Sequence, residues 1–470
     1  MLPKSLKYGS KVESAYARSF RTNVAPQNGT GNYGLGDNII LNIPTRNNLV
    51  LCPNESYLKF NIAITNTSGS ANSYRWDSCG AHGIIQRIRC WSGSNLLQDI
   101  DNAGLLAKLL FDLQVPFDST MGKYNILTGT RSDMTLTLPT EGTANGTDAA
   151  TTQALANALK ADFSNAKLSA YNTNSGDVIG SAIANNGSTT VKTYCLNLVS
   201  LVGTLCSSNY FPLFACTSAP LRVEIQLVDS IAKMCACTSA TGSITVSNVE
   251  YIANFIELGD QAVSMVLDSL QGQPLQFVVP DFRNFQGSYL LANAQTQYQF
   301  PIPAKFSSLK SIFVTIRDKG TGAITYYPFS TCTKQLTDYY FRVGATIMPP
   351  KAPNTYPEMF SEVLKAIDTM SNINHQPAID LYSYTLQDST VNGDTILNVN
   401  SGSFYIGIDL ENYAGSSKES IFSGQNSNTD DIYCVMNFAA QGANTTVRFD
   451  AFAMFDTVVV FDNNTCFIKF

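Results

Sequence analysis

Residues 38–64 read NIILNIPTRNNLVLCPNESYLKFNIAI, and the fold class turns on them. In Asn38–Ile43 and Tyr57–Ile64 apolar and polar residues alternate, and β-branched and aromatic side chains are frequent. A period of two puts every second side chain on the same face, so both segments predict strands with one buried face. The same period recurs at Ile84–Trp91, Leu221–Val228, Leu309–Ile316, Ser403–Leu410, Asp431–Phe438 and Val447–Val460. Gly, Asn and Ser clusters separate these segments and supply turn chemistry.

Two segments carry a helical period instead. Asp101–Leu113 places Leu105, Leu106, Leu109, Leu110 and Leu113 on one stripe. Tyr356–Met370 does so with Met359, Phe360, Val363, Leu364 and Ile367, and its Pro357 suits a first helical turn. Strand Ile84–Trp91 precedes the first helix and Leu309–Ile316 the second, so each half reads as strands, one amphipathic helix, then more strands. This is a weak internal duplication with a period of roughly 225–250 residues. It predicts two all-β sandwiches of about 220 residues each, divided near Leu258–Pro274. A polar stretch, Arg131–Val191, contains TEGTANGTDAATTQALANALKADFSNAK; its Gln153–Leu159 run suits a short helix. It is expected to be an outward-facing surface feature that the sandwich core does not need.

Composition narrows the function classes. Of 470 residues 44% are hydrophobic, enough for packed cores, yet only 14% are charged, against roughly 25% in a typical soluble domain. Ser, Thr, Asn and Gln supply the rest of the polarity, and they cost less than charges to bury against a partner. A large share of the surface is therefore expected to be interface. A net charge of −6 and a pI near 5.1 argue against a protein built mainly to hold nucleic acid. No apolar run is long enough for a transmembrane helix, and the basic start lacks the apolar stretch of a secretory signal. Eleven irregularly spaced cysteines then read as reduced, mostly buried thiols. The sequon matches at Asn28, Asn66 and Asn145 read as chance.

Candidate chemistry is thin. Gly29, Gly31, Gly34 and Gly36 satisfy G-x-G-x-x-G, but a loop precedes and a strand follows, the reverse of a phosphate-binding unit; a hinge is expected. Cys79 and His82 with Cys90, and Cys235 with Cys237, lack the second ligand pair of a zinc site. His82 and His375 are the sole histidines, and neither lies in a nucleophile context. Asp99 with Asp101 is the nearest carboxylate pair, but Asp101 is expected to cap the following helix; Asp430-Asp431 is expected to be solvated. No catalytic, cofactor-binding or metal residue is assigned, and the chain is not expected to be an enzyme.

Several segments resemble the double jelly-roll major capsid proteins of tailless icosahedral DNA viruses, the adenovirus, virophage and polinton-like lineage. Ile43-Pro44, Pro53, Ser56, Tyr57, Leu58 and Phe60 match the family's opening strands, and His82–Leu110 its strand hairpin leading into the first helix. Leu198–Leu227 is similar to its strand, Y-x-P-L turn and L-R-x-E strand, with Tyr210, Pro212 and Leu213 departing in the form Y-F-P-L. SSLKSIFVTIRD, YYFRVGATIMPPKAPNTYPEMFSEVLKAI and FDAFAMFDTVVVFDN resemble its second half and closing strand. The resemblance implies an all-β chain of two eight-stranded jelly rolls side by side, each with a short amphipathic helix. It divides as an arm over 1–36, a first jelly roll over 37–265 with the insertion 131–191, and a second over 266–470. It implies a structural capsid protein forming pseudo-hexagonal homotrimeric capsomers in the virion, with penton and minor capsid proteins as partners. The rival reading is a carbohydrate- or receptor-binding β-sandwich. The arm holds Lys4, Lys7, Lys11, Arg18 and Arg21 against Glu13, and Lys11–Phe20 is close to helical spacing. These basic residues are expected on the inner face of the shell, in contact with a neighbouring subunit or weakly with genome or an internal membrane.

Overall fold

The computed structural model describes residues 17–29, 31–66, 73–130, 182–185, 191–201, 210–237, 242–270, 272–292, 295–318, 327–372, 374–387, 402–412, 423–441 and 444–469. The first half runs β1 (Ala17–Val24), β2 (Asn38–Asn42), β3 (Leu49–Leu51), β4 (Tyr57–Asn66), β5 (Ser73–Arg75), β6 (Ile85–Ser92) and β7 (Asn95–Asp101). Helices α1 (Ala103–Leu113), α2 (Phe117–Met121) and α3 (Lys123–Thr128) follow, then β8 (Ala182–Asn185), β9 (Val191–Leu196), β10 (Leu221–Leu227), β11 (Ala236–Cys237) and β12 (Gly242–Leu258). One sheet orders β1-β12-β4-β9, with β3 also on β12; the facing sheet orders β2-β10-β6-β7, and a small sheet orders β11-β5-β8. Helix α4 (Asp260–Ser269) leads into the second half.

There β13 (Leu275–Leu291), β14 (Gln297–Ile302), β15 (Leu309–Asp318), β16 (Leu336–Val343) and β17 (Thr346–Met348) precede α5 (Tyr356–Ala366) and α6 (Leu381–Tyr384). After them come β18 (Tyr405–Asp409), β19 (Ile432–Phe438), β20 (Thr445–Asp462) and β21 (Thr465–Lys469). The sheets order β13-β20-β15-β18, with β21 on β20, and β14-β19-β16-β17. In both halves the principal strands therefore pair as first–eighth–third–sixth and second–seventh–fourth–fifth, which is jelly-roll winding. All ladders are antiparallel; the longest joins β13 to β20 from Leu275↔Phe461 to Leu291↔Thr445.

Two cores result. One fills the second sandwich, between strands such as β14, β16 and β20. The other fills the first sandwich and continues across to Val279, Phe282, Phe313, Phe452 and Val459 on the outer face of the second. The sheet through β20 is thus buried on both faces, so the run AFAMFDTVVVF loses strict polar alternation.

Several expectations are corrected. Ala17–Phe20 is strand rather than helix: β1 pairs along β12 from Ala17↔Leu258 to Val24↔Tyr251, and sheet pairing overrides a local helical spacing. Residues 17–24 of the expected arm are thereby the first strand of the first jelly roll. The glycine-rich 29–36 stretch is pinned rather than a hinge: Tyr33 exchanges both backbone hydrogen bonds with Val246, at 2.8 and 2.9 Å, and its ring is buried. Helix α1 is buried on every side, so its leucine stripe is no one-faced amphipathic pattern. Asp101 does not cap it; Asn102 holds the N-cap position at φ +50°, and Asp101 Oδ1 accepts from the Asn102 amide at 2.9 Å. The expected insertion lies outside the described residues apart from Ala182–Asn185 and Val191, and Ile183 on β8 is fully buried in the first core. Both α1 and α5 follow the fifth strand of their jelly roll, so the counterpart of Ile84–Trp91 is β16 and not Leu309–Ile316.

Candidate functional site

The distinctive chemistry of the molecule lies in the seam between its two sandwiches. Helix α1 carries two charges in the run AGLLAKLLFDL, and both are buried. Lys108 Nζ lies 3.4 Å from Asp77 Oδ1 and 3.3 Å from Asp112 Oδ2, one helical turn on. It also donates to Ser78 Oγ at 2.8 Å and to Ser403 Oγ at 3.1 Å. Asp77 accepts the Ser78 amide at 2.7 Å and the Phe329 amide at 3.1 Å, while the Tyr405 hydroxyl donates to Asp112 Oδ2 at 2.7 Å. Burial by itself lowers the Lys108 pKa, but the carboxylates of Asp112 and Asp77 outweigh it and hold the ammonium above its usual range. Burial, together with Asp112, pushes the Tyr405 phenol well up, which keeps it a donor. Buried charges are tolerated when every proton and lone pair has a partner. Here Phe329, Ser403 and Tyr405 come from the second half, so the network closes only across the seam.

More of the seam follows the same plan. Gln98 Nε2 donates to Asp281 Oδ1 at 2.7 Å, and Gln98 Oε1 accepts the Leu201 amide at 2.9 Å. Burial pushes the Asp281 carboxyl up to about 6, against the hydrogen bonds from Gln98 and the Phe282 amide that favour its charged form. Asn102 Nδ2 donates to Asn284 Oδ1 at 2.8 Å. Asp450, fully buried, takes Arg317 Nε and Nη2 at 2.8 and 2.6 Å on Oδ2 and Arg448 Nε at 3.1 Å on Oδ1. Phe211 meets Phe277 and Phe461 at ring-centroid distances of 6.4 and 5.3 Å, an edge-on aromatic contact. Each group neutralises or satisfies a neighbour, so what the arrangement does is hold two sandwiches side by side.

The sequence-predicted residues fall elsewhere. Lys4, Lys7 and Lys11 lie outside the described residues; Arg18 and Arg21 are exposed on β1, with the Arg21 guanidinium 5.6 Å from the Tyr57 ring centroid. His82 Nδ1 and Nε2 face the carbonyl oxygens of Cys79 and Asn197 at 3.1 and 2.9 Å, and burial lowers its pKa. Burial pushes the Cys90 thiol up to about 12 and Cys237 up to about 11. The ten described cysteines are all free thiols. Asp99 forms a two-point pair with Arg87, at 2.6 and 2.5 Å, rather than a pair with Asp101. Asp431 is exposed and pairs with Lys305 at 2.9 Å beside a cleft of about 500 Å³ on the outer face of β14, β16 and β19. Tyr340, Tyr433, Arg342 and Gln299 line that cleft, and tyrosine and arginine are residue types that protein interfaces favour.

No family model and no curated protein matches the sequence. Solved structures do match. The chain aligns with the PBCV-1 virus capsid structure over 98% of each chain, at TM-score 0.58 and 8% identity. With the Sputnik virophage structure the alignment covers 100% of this chain and 92% of that one, at TM-score 0.56 and 11% identity. With the Faustovirus major capsid protein it covers 97% and 92%, at TM-score 0.52 and 8% identity. This chain has the double jelly-roll fold.

Within the double jelly roll, the residues that sequence reasoning missed are those of the seam. Lys108 and Asp112 sit four apart in an otherwise apolar helix, and a charged pair inside an all-round apolar run is a legible sign of a buried ion pair. Asp77 and Asp281 carry no such local mark, because their partners are distant in sequence.

Proposed function

We propose that this chain is a major capsid protein of an icosahedral virion, with assembly as its function and no catalysis. The observation that carries the reading is the end-to-end match of two jelly rolls to the PBCV-1 capsid structure over 98% of both chains. A chain holding two similar units side by side gives six units when three copies close a ring, so the capsomer is a pseudo-hexagonal homotrimer. Residues 37–265 and 266–470 are the two units, with β1 completing the first. The low charge content supports broad contacts between copies, and the Tyr340 and Tyr433 cleft suits one of them. Penton and minor capsid proteins complete the shell. The basic residues Lys4, Lys7, Lys11, Arg18 and Arg21 belong to its inner face, where the exposed Arg18 and Arg21 meet a neighbouring subunit or, weakly, genome or an internal membrane.

Light scattering on a size-exclusion peak tests this, with three times the 51.0 kDa chain mass expected. Electron microscopy of the same peak should show hexagonal particles. A monomer at micromolar concentration without such particles overturns the reading.

A further inference from the structure

We propose that α4 is the docking site for residues 1–16 of the same chain, which lie along the groove beneath that helix. Helix α4 buries none of its ten residues, although DQAVSMVLDS is half apolar. Met265 is 71% exposed and Leu267 52%. A short helix holding such residues out to water has lost the packing that stabilises helices of this length. Its inner face, with Val263, Leu267 and Leu270, stands off from Phe214, Leu275 and Phe461 across a groove of about 690 Å³. Asp260 and Asp462 also line the groove, and among the described residues no Lys or Arg does.

The position of Ala17 singles out the occupant. Ala17 pairs with Leu258, two residues before α4 begins, and β1 runs antiparallel to β12. Followed backward from Ala17, the chain therefore continues past the end of β12, toward the start of α4. Sixteen residues reach up to about 50 Å when extended, and α4 is only about 15 Å long, so length sets no obstacle. Composition fits as well. Residues 1–16, MLPKSLKYGSKVESAY, offer Leu2, Leu6, Tyr8 and Val12 to an apolar groove. They set Lys4, Lys7 and Lys11 against Glu13, a net positive segment beside a groove whose charges are carboxylates. This goes beyond the capsid reading and does not depend on it.

The test uses the purified full chain. Zero-length carbodiimide coupling, mapped by mass spectrometry in a mixture of unlabelled and ¹⁵N-labelled protein, should join Lys4, Lys7 or Lys11 to Asp260 or Asp462 within one copy. Amide exchange over 260–270 should rise at least tenfold on deletion of residues 1–16. The full-length variant Leu267→Asp, outside both cores, should give the same rise with unchanged melting. Links found solely between differently labelled copies overturn the proposal, since a second copy would then be the occupant. Exchange over 260–270 that is identical with and without residues 1–16 overturns it as well.

Discussion

Lys108 shows how a chain so sparing of charge spends some of it inside. Its ammonium, two carboxylates and a tyrosine hydroxyl hold one another across the seam. Removing one member leaves the others charged and dry. Lys108→Met should therefore lower unfolding free energy by about 3–5 kcal/mol, read by urea titration, and adding Asp77→Asn and Asp112→Asn should restore most of it. A loss below 1 kcal/mol for Lys108→Met would mean that water reaches the site. Asp281 gives the opposite case. Its carboxyl titrates near 4 when unfolded and at about 6 in the fold. Between those values the folded state keeps a proton that the unfolded chain has released, so stability from this group falls as pH rises from 4 to 6. A full shift corresponds to about 3 kcal/mol. Asp281→Asn keeps the acceptor for Gln98 and the Phe282 amide, so it should raise stability by about 1–3 kcal/mol at pH 7.5. At pH 4 it should change little. A variant with an unaltered pH profile would place the titration elsewhere.

Among the elements, β1 and α1 depart most from their sequence readings. β1 has few apolar residues, and five of its eight positions are exposed, so periodicity gives it little weight. It is held by its ladder on β12 and by Phe20 against Phe255, at a ring-centroid distance of 5.8 Å. Truncation should expose the difference between tail and strand. Deleting residues 1–16 should leave the melting temperature within a degree or two. Deleting residues 1–24 should lower stability by about 2 kcal/mol or more, the order of a lost aromatic contact plus an unpaired sheet edge. Equal melting of the two truncations would show that β1 contributes nothing. Helix α1 also depends on close approach. Gly104 on its first turn has the Gly83 Cα and Phe329 ring so near that an added Cβ would lie 3.1 and 2.9 Å from them. A leucine stripe makes a helix, but this contact sets how deep it sits.

For the whole molecule, the consequence of the seam is cooperativity. The first core runs on into the outer face of the second sandwich, where Phe282, Phe313 and Phe452 would otherwise meet water. Calorimetry of the full chain should show one transition for both jelly rolls. Residues 272–470 expressed alone should bind a hydrophobic dye or aggregate, because one face of the β13-β20-β15-β18 sheet would be bare. Two well-separated transitions, or a soluble second half that binds no dye, would mean the sandwiches are independent. The same seam keeps two jelly rolls at a fixed spacing.

Several features were legible without coordinates because local physics determines them. Alternation marked β2, β4, β6, β10 and β15 to within two residues at each end. The helical stripes marked α1 and α5, and the order of segments marked two sandwiches. Tertiary structure alone decided the rest. β1 became a strand because β12 had an open edge. β13 is mostly half-buried, so its alternation is blurred. Helix α4 fell among residues read as punctuation. The hydrogen bonds of the seam join residues as far apart as Lys108 and Ser403. A sequence records which faces are apolar, and the fold chooses which of them meet.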